Sequence, residues 1–315
     1  MDLISYVIPC YRSEHTLFNV VKEIQETMKS DLSEYQYEII LVNDSSPDNT
    51  IKTIKTLCAQ NSNIIGIDFT KNFGQHAALM AGMRIAKGDI IICLDDDGQT
   101  PANEAKKLVD KLLQGYDAVY AKYEVKKHSW FRNFGSHVNE KMTCIMLGKS
   151  KELFISSYFA VRRYILDDML RYENAYPYVT GLVLRATNNI ANVVVQHRER
   201  EEGNSGYTLK KLLGLWLNGF TAFSAMPLRI ATVIGFLVAI LGFVYGLYIV
   251  IKKLFINPNG ILIGYSSTMA VMLFVGGIIM LLLGIIGEYI GRIYISINNA
   301  PQYIVKEVIR NTEDQ

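Results

Sequence analysis

Closely spaced cysteine pairs are missing from this sequence. Of its 315 residues four are cysteine, Cys10, Cys58, Cys93 and Cys144, and no two lie near each other in the chain. That spacing argues against a zinc site or a disulfide frame and suits small core residues in a reducing compartment. An excess of one charge is missing too: 32 Lys and Arg stand against 30 Asp and Glu, a net +2 that gives nucleic acid no purchase. The opening residues, MDLISYVIPCYRSE, lack the basic start and long apolar run of a secretion signal, so the first domain is expected to stay in the cytosol. Internal repeats and low-complexity tracts are also absent.

Charge is missing most completely from two stretches near the C-terminus. Residues 230–251 and 261–287 contain no Asp, Glu, Lys or Arg, and the second ends at Glu288. Each exceeds the roughly 20 residues a helix needs to cross the hydrocarbon core, which makes membrane spans a better account than a pair of buried core helices. Gly235, Gly242, Gly246, Gly276, Gly277 and Gly284 suit close helix packing in lipid and would permit a homo-oligomer through the spans. Two spans return the C-terminus to the cytosolic side. Lys210, Lys211 and Arg229 precede the first and Arg292, Lys306 and Arg310 follow the second, although Lys252 and Lys253 in the connecting loop weaken the asymmetry.

What is present upstream is an alternation of apolar runs and helical periodicities. Strands are expected at 4–9, 37–44, 63–69 and 89–95. The first is followed by Leu17, Val20, Val21, Ile24 and Met28 at helical spacing. Ser46–Pro47 and Thr100–Pro101 read as N-caps with a first-turn proline. Strand–helix repetition with continuously apolar strands predicts an α/β domain with a mainly parallel sheet covered on both faces. Ligands of such sheets bind beyond the carboxyl ends of the strands, where Pro9–Tyr11, Asn43–Asp44 and Asp95–Gln99 fall.

Three adjacent aspartates, Asp95, Asp96 and Asp97, repel one another unless something offsets them. In an extended chain Asp95 and Asp97 share one side and Asp96 the other. With Gln99 they form an oxygen-only set suited to Mg²⁺ or Mn²⁺ held jointly with phosphate. A simpler alternative is an acidic turn at a helix N-terminus. The D-x-D-G pattern also fits a phosphohydrolase with Asp95 as nucleophile, although such elements usually sit on a first strand.

The segments YVIPCYRSEHTL, ILVNDSSPDNT, DFTKNFGQHAALMAG, AKGDIIICLDDDGQTP and REREEGNSGYTLKKLL, with the closing APQYIVKEVI, occur in an informative order. Together they resemble the family 2 inverting glycosyltransferases of the GT-A fold, in particular the polyprenyl-phosphate type of the dolichol-phosphate mannose synthases and bactoprenol glucosyltransferases. The resemblance implies a Rossmann-like nucleotide-sugar domain over 1–207, an interfacial amphipathic region over 208–229, two transmembrane helices over 230–291 and a cytosolic tail over 292–315. It further implies that Pro9, Cys10, Tyr11, Asp44, Asp95 and Asp96 bind the nucleotide and that Asp95, Asp97 and Gln99 hold a divalent metal. Lys122, Arg132, Arg200 and Ser205 would contact phosphates, with Asp95, Asp97 and Arg200 as catalytic groups.

Four departures from the family pattern stand out. Asn43 replaces a common acid, Asp96 replaces a small residue and is expected to point away from the metal, and Gly98 replaces an apolar residue and is expected to loosen the turn. The segment 156–159, SSYF, lacks the family's arginine and any acidic base. An anionic lipid phosphate needs little general-base help, so this loss favours a polyprenyl-phosphate acceptor over a hydroxyl acceptor in polysaccharide or glycolipid assembly. The expected reaction moves a sugar from a nucleotide diphosphate, by resemblance a uridine one, to a polyprenyl phosphate such as undecaprenyl phosphate. It would occur with inversion at the cytosolic face of the cell membrane.

Overall fold

The computed structural model describes residues 2–123, 150, 152–196, 226–251, 255, 264–297 and 301–311. The chain divides into two compact units, Met1–Trp216 with Asn299–Gln315, and Leu217–Asn298.

The first unit is built on one sheet. Its first half alternates β1 (Leu3–Cys10), α1 (Leu17–Ser30), β2 (Gln36–Asn43), α2 (Thr50–Gln60), β3 (Ile64–Phe69), α3 (Gln75–Ile85) and β4 (Ile90–Cys93). A 3₁₀ turn over Ala102–Glu104 leads into α4 (Ala105–Leu113) and β5 (Ala118–Tyr123). Then follow β6 (Phe159–Arg162), α5 (Arg163–Met169), α6 (Val179–Ala186) and β7 (Ile190–Val195), and finally, from the far end of the chain, β8 (Val305–Ile309). The strand order is β7-β5-β6-β4-β1-β2-β3-β8. β4, β1, β2 and β3 run parallel, as do β5 and β7, while β6 and β8 pair antiparallel to their neighbours.

Burial explains the continuous apolar runs. Ile4, Tyr6 and Ile8 of β1 join one core with Leu17, Val20, Val21, Ile24 and Met28 of α1 and with Leu108, Val109 and Leu112 of α4. Each fully buried aliphatic contributes about 1.5–3 kcal/mol relative to exposure. Alternate residues point to the other face, where α3 packs on β1 and β2. Gly82 of α3 lies so close that a Cβ there would collide with Val7 Cγ1, so only glycine lets the helix seat against the strands. Cys10, Cys58 and Cys93 are buried free thiols, and burial pushes all three up in pKa. Cys144 lies outside the described residues.

Two local expectations change. Ser46 is not the cap of α2: that helix starts at Thr50 after Asn49, and the Ser46 hydroxyl donates to Asp48 at 2.5 Å. Asp48 also accepts from the N–H and hydroxyl of Thr50, so the SSPDN stretch closes into its own turn before the helix begins. β4 likewise stops at Cys93 rather than at residue 95, which puts all three aspartates in the following turn.

The second unit holds α7 (Met226–Ile251) and α8 (Tyr265–Ile297). At 1.5 Å per residue they are about 39 and 50 Å long. Phe274–Gly291 of α8 is long and apolar enough to cross a membrane, and none of it is buried; the apolar stretch Ala231–Tyr245 of α7 is shorter. α8 runs past the uncharged stretch through Glu288 and Arg292. Among the described residues a Cβ at Gly235 would touch Leu282, whereas one at Gly242, Gly276, Gly277 or Gly284 would have nothing within 4 Å. Packing between α7 and α8 therefore does not explain those four glycines.

Candidate active site

The parallel register brings the polar strand ends to one level. Cys10 lies opposite Asn43 and Asn43 opposite Asp68, while Val7 faces Cys93 so that the β4 chain emerges beside Pro9 and Cys10. There a crevice of about 500 Å³ opens, lined by Pro9, Cys10, Tyr11, Asp44, Asn72, Gly74, Gln75, Asp95, Asp96, Asp97 and Ser157. Six residues singled out in the sequence for nucleotide binding thus share one wall with Asp97.

Each aspartate of the triplet has its own partners. Asp95 accepts from Gln75 Nε2 at 2.7 Å on one oxygen and from the Ser157 hydroxyl on the other. Asp96 turns the other way: its Oδ2 accepts the Tyr11 N–H at 3.0 Å and the Ser13 hydroxyl. Asp97 Oδ1 accepts the Gln99 N–H at 3.1 Å, closing a small turn. Gly98 stands in that turn at φ 73°, in the left-handed region that favours glycine, so it shapes the turn and does not loosen it. Asp96 lines the crevice as well as tethering β1, so it is more than an outward-facing spare charge. Surrounding protein removes water from Asp96 and raises its pKa to about 6; its two hydrogen bonds oppose this, and the charges of Asp95 and Asp97 add to it.

Asp44 is buried, and the loop before α3 wraps it. Phe73 N–H donates to Oδ1 at 2.7 Å and Gly74 N–H to Oδ2 at 2.8 Å, while Asn72 Nδ2 donates to its carbonyl at 3.1 Å. Burial raises the Asp44 pKa and the two N–H groups oppose the rise. Each carboxylate oxygen keeps a lone pair for a ligand. Asn43 faces away: its amide donates to Asp68 at 2.7 Å. Glu14 accepts the Asn49 N–H at 2.6 Å just before α2 and is not among the crevice residues.

Other residues fall elsewhere. Gln99 shares the turn but does not line the crevice. Lys122 is exposed on β5, on the opposite pleat from Tyr123, whose phenol is pushed up first by burial and then by Asp95 and Asp97. Arg132, Arg200, Ser205 and the amphipathic stretch 208–225 lie outside the described residues. Sequence reasoning did not assign Asn72, Gly74, Gln75 and Ser157 to the crevice they line. For the first three a signal existed in the DFTKNFGQHAALMAG segment, and for Ser157 in the SSYF segment at 156–159.

Among the described residues no three His, Cys, Asp or Glu side chains gather into a metal cage. The crevice still fits a magnesium-like cation, which takes one or two protein carboxylates and draws its other oxygens from phosphate and water. Asp44, Asp95, Asp96 and Asp97 are the carboxylates that line the crevice.

A family model described as glycosyl transferase family 2 matches residues 5–170, and one described as GtrB C-terminal hairpin matches residues 226–293. The chain is 32% identical to an undecaprenyl-phosphate 4-deoxy-4-formamido-L-arabinose transferase of Aeromonas hydrophila, over 99% of this chain and 95% of that one. It is 32% identical to the transferase of the same name from Proteus mirabilis, over 98% and 94%. Among solved structures, glucosyl-3-phosphoglycerate synthase from Mycobacterium tuberculosis, in complex with Mn²⁺ and uridine-diphosphate-glucose, superposes with a TM-score of 0.53 at 18% identity. That match covers 70% of this chain and 77% of the other, and it shows a shared GT-A fold.

Proposed function

This chain belongs to glycosyl transferase family 2, and we propose that it moves a sugar from a nucleotide diphosphate to the phosphate of a polyprenyl lipid such as undecaprenyl phosphate. It is a glycosyltransferase. The observation that carries the substrate reading is the crevice: Tyr11, Asp44 and the Asp95–Asp97 turn converge there, in a chain similar over almost its full length to undecaprenyl-phosphate transferases. Membership of the family sets aside the phosphohydrolase reading.

In this reading Pro9, Cys10 and Tyr11 border the base and ribose, and Asp44 accepts hydrogen bonds from the nucleoside. Asp96 fixes the backbone that carries Tyr11. Asp95 and Asp97, with Gln99 as a third candidate, would hold Mg²⁺ or Mn²⁺, whose chemistry is to offset charge on the departing nucleoside diphosphate. Gln75 and Ser157 orient the Asp95 carboxylate toward that task, in the manner of partners that aim a metal ligand. Arg200, with Arg132, Lys122 and Ser205, is proposed to meet phosphate oxygens. The acceptor phosphate arrives as an anion and attacks with inversion without a protein base.

A membrane position follows from the acceptor, and the chain's path supports two spans. β8 pairs with β3 in one sheet, so the stretch between β7 and β8 leaves the first unit and comes back. An odd number of crossings would strand β8 on the wrong side of the bilayer from β3. Two crossings, by α7 and α8, keep the catalytic unit and both ends of the chain on the cytosolic face, with stretch 208–229 at the interface and a homo-oligomer through the spans permitted.

The test is a screen of radiolabelled nucleotide sugars with undecaprenyl phosphate, with and without Mn²⁺, followed by solvent extraction. Label entering the lipid phase only with metal is the expected result. Label that enters only a hydroxyl acceptor would refute the acceptor assignment.

A further inference from the structure

The inner end of β2 is held from an unexpected direction: two lines of contact reach it from the segment that follows α8. One is aromatic. Tyr303 stacks on Phe69, with ring centroids 5.3 Å apart and 9° between planes, and Phe69 meets Phe73 edge-on at 5.7 Å and 86°. Phe73 in turn donates its N–H to Asp44. The other line is polar. Lys306 Nζ lies 3.3 Å from Asp68 Oδ2, and Asp68 Oδ1 accepts from Asn43, the residue before Asp44.

The segment is itself well anchored. Gln302 donates to the carbonyls of Tyr172 and Asn174 at 2.7 and 3.0 Å, and Thr70 N–H donates to the Ile304 carbonyl at 3.1 Å. Lys55 pairs with Glu307 at 2.6 Å. Asp68 is buried, and a buried carboxylate needs compensating partners, so Lys306 and Asn43 both bear on its position.

We propose that residues 302–309 are a positioning element of the donor site, setting the end of β2 and the loop at 70–74 so that Asp44 is presented to the nucleoside. This rests on the assignment of Asp44 made above. The stretch of chain that returns from α8 thereby completes a site whose other parts lie between Pro9 and Ser157.

Tyr303→Ala and Lys306→Met in the full-length protein test this, with Tyr303→Phe as the conservative control. The first readout is amide hydrogen exchange at Phe73 and Gly74, the two N–H groups that donate to Asp44. Exchange should accelerate about tenfold in Tyr303→Ala, as expected for local loosening, while the melting temperature stays near that of the parent. The second readout is steady-state transfer. Donor KM should rise about three- to thirtyfold, the usual range for residues that act through others, with kcat and acceptor KM unchanged and Tyr303→Phe at parental values. Lys306→Met should change both readouts in the same direction, and because its ammonium is well exposed it spares the fold if Tyr303→Ala does not. Unchanged exchange at 73–74 in both folded variants, or a fall of kcat with a rise of both KM values and lost stability, would overturn the proposal. A parent protein that transfers no sugar would count against the donor-site reading, and the exchange rates would still decide whether the segment braces the loop.

Discussion

Tyr11 and Asp96, 85 positions apart, are joined by a hydrogen bond from the Tyr11 N–H to Asp96 Oδ2 at 3.0 Å, and the Ser13 hydroxyl donates to the same oxygen. The loop at Tyr11–Ser13 gives its amides to side chains. Arg12 sits at φ 61° and gives its N–H to Ser46 Oγ at 2.8 Å, and Ser13 gives its N–H to Thr50 Oγ1 at 2.9 Å. Among the described residues no strand pairing holds this loop; Asp96, Ser46 and Thr50 hold it through their side chains.

Replacing Asp96 should therefore act on donor binding. Asp96→Ala removes the shared acceptor of both donors at once and leaves the Tyr11 amide without its partner, at a cost of about 1–3 kcal/mol. Because the loop borders the proposed base pocket, the loss should appear as a donor KM about tenfold higher, with acceptor KM unchanged. Asp96→Asn keeps one oxygen where both donors point and should retain most of the affinity. An equal loss in both variants would mean that the charge, and not the tether, matters.

Asp97→Ala should abolish transfer while leaving the fold intact, a fall of at least about 100-fold if the carboxylate helps to neutralise the leaving diphosphate. Gln75→Leu makes a subtler change. It leaves Asp95 in place but removes a hydrogen bond that aims it, and such losses typically weaken metal affinity about 10–100-fold. A Mn²⁺ activation curve shifted to higher concentration, with the plateau nearly kept, is the expected signature. A curve with the parental midpoint would remove Gln75 from the site.

The parallel core and the convergence of Pro9, Asp44 and Asp95 were legible because both follow from local patterns: apolar runs mark the strands, and polar residues at their carboxyl ends mark the crevice. The bonds of Gln75 and Ser157 to Asp95 were not, although both residues stand in segments the sequence marks, because two loops bring them to it in space. β8 escaped for a related reason. VKEVI sets two adjacent charged residues among three apolar ones, as a solvated tail might, and its place is decided by pairing Asp68 with Glu307 across the whole chain. The Ser46–Pro47 start signal misled because Asp48 offers the Ser46 hydroxyl a nearer partner than the helix backbone.

The two-span topology makes a prediction that one span cannot. Single cysteines introduced at Asn257 and at Asn311, in a background with the native cysteines changed to Ala or Ser, can be labelled in intact cells with a membrane-impermeant maleimide. The connecting stretch at Asn257 should react from outside and Asn311 only after lysis. Reaction of both from the same side would exclude two crossings.

His76 supplies a test of the fold by acid. It stands at the start of α3, edge-on to the Tyr178 ring at 5.1 Å, and among the described residues its Nδ1 has no hydrogen-bond partner. Burial lowers its pKa from 6.5 to about 4. In the unfolded chain the same imidazole takes a proton as the pH drops through 6.5, while in the folded chain it stays neutral until about 4. Between those values the unfolded state holds more protons, so stability is fully present above pH 6.5 and falls as the pH is lowered toward 4. The loss can reach about 3 kcal/mol, and less to the extent that water reaches the ring. Asp96 works in the opposite sense, since its raised pKa makes the folded state the better proton binder below about 6. The two are separated by comparing the parent with His76→Phe: the difference between their unfolding free energies should shrink or invert between pH 7.5 and 4.5. A constant difference across that interval would show that His76 takes up its proton equally in the folded and unfolded states.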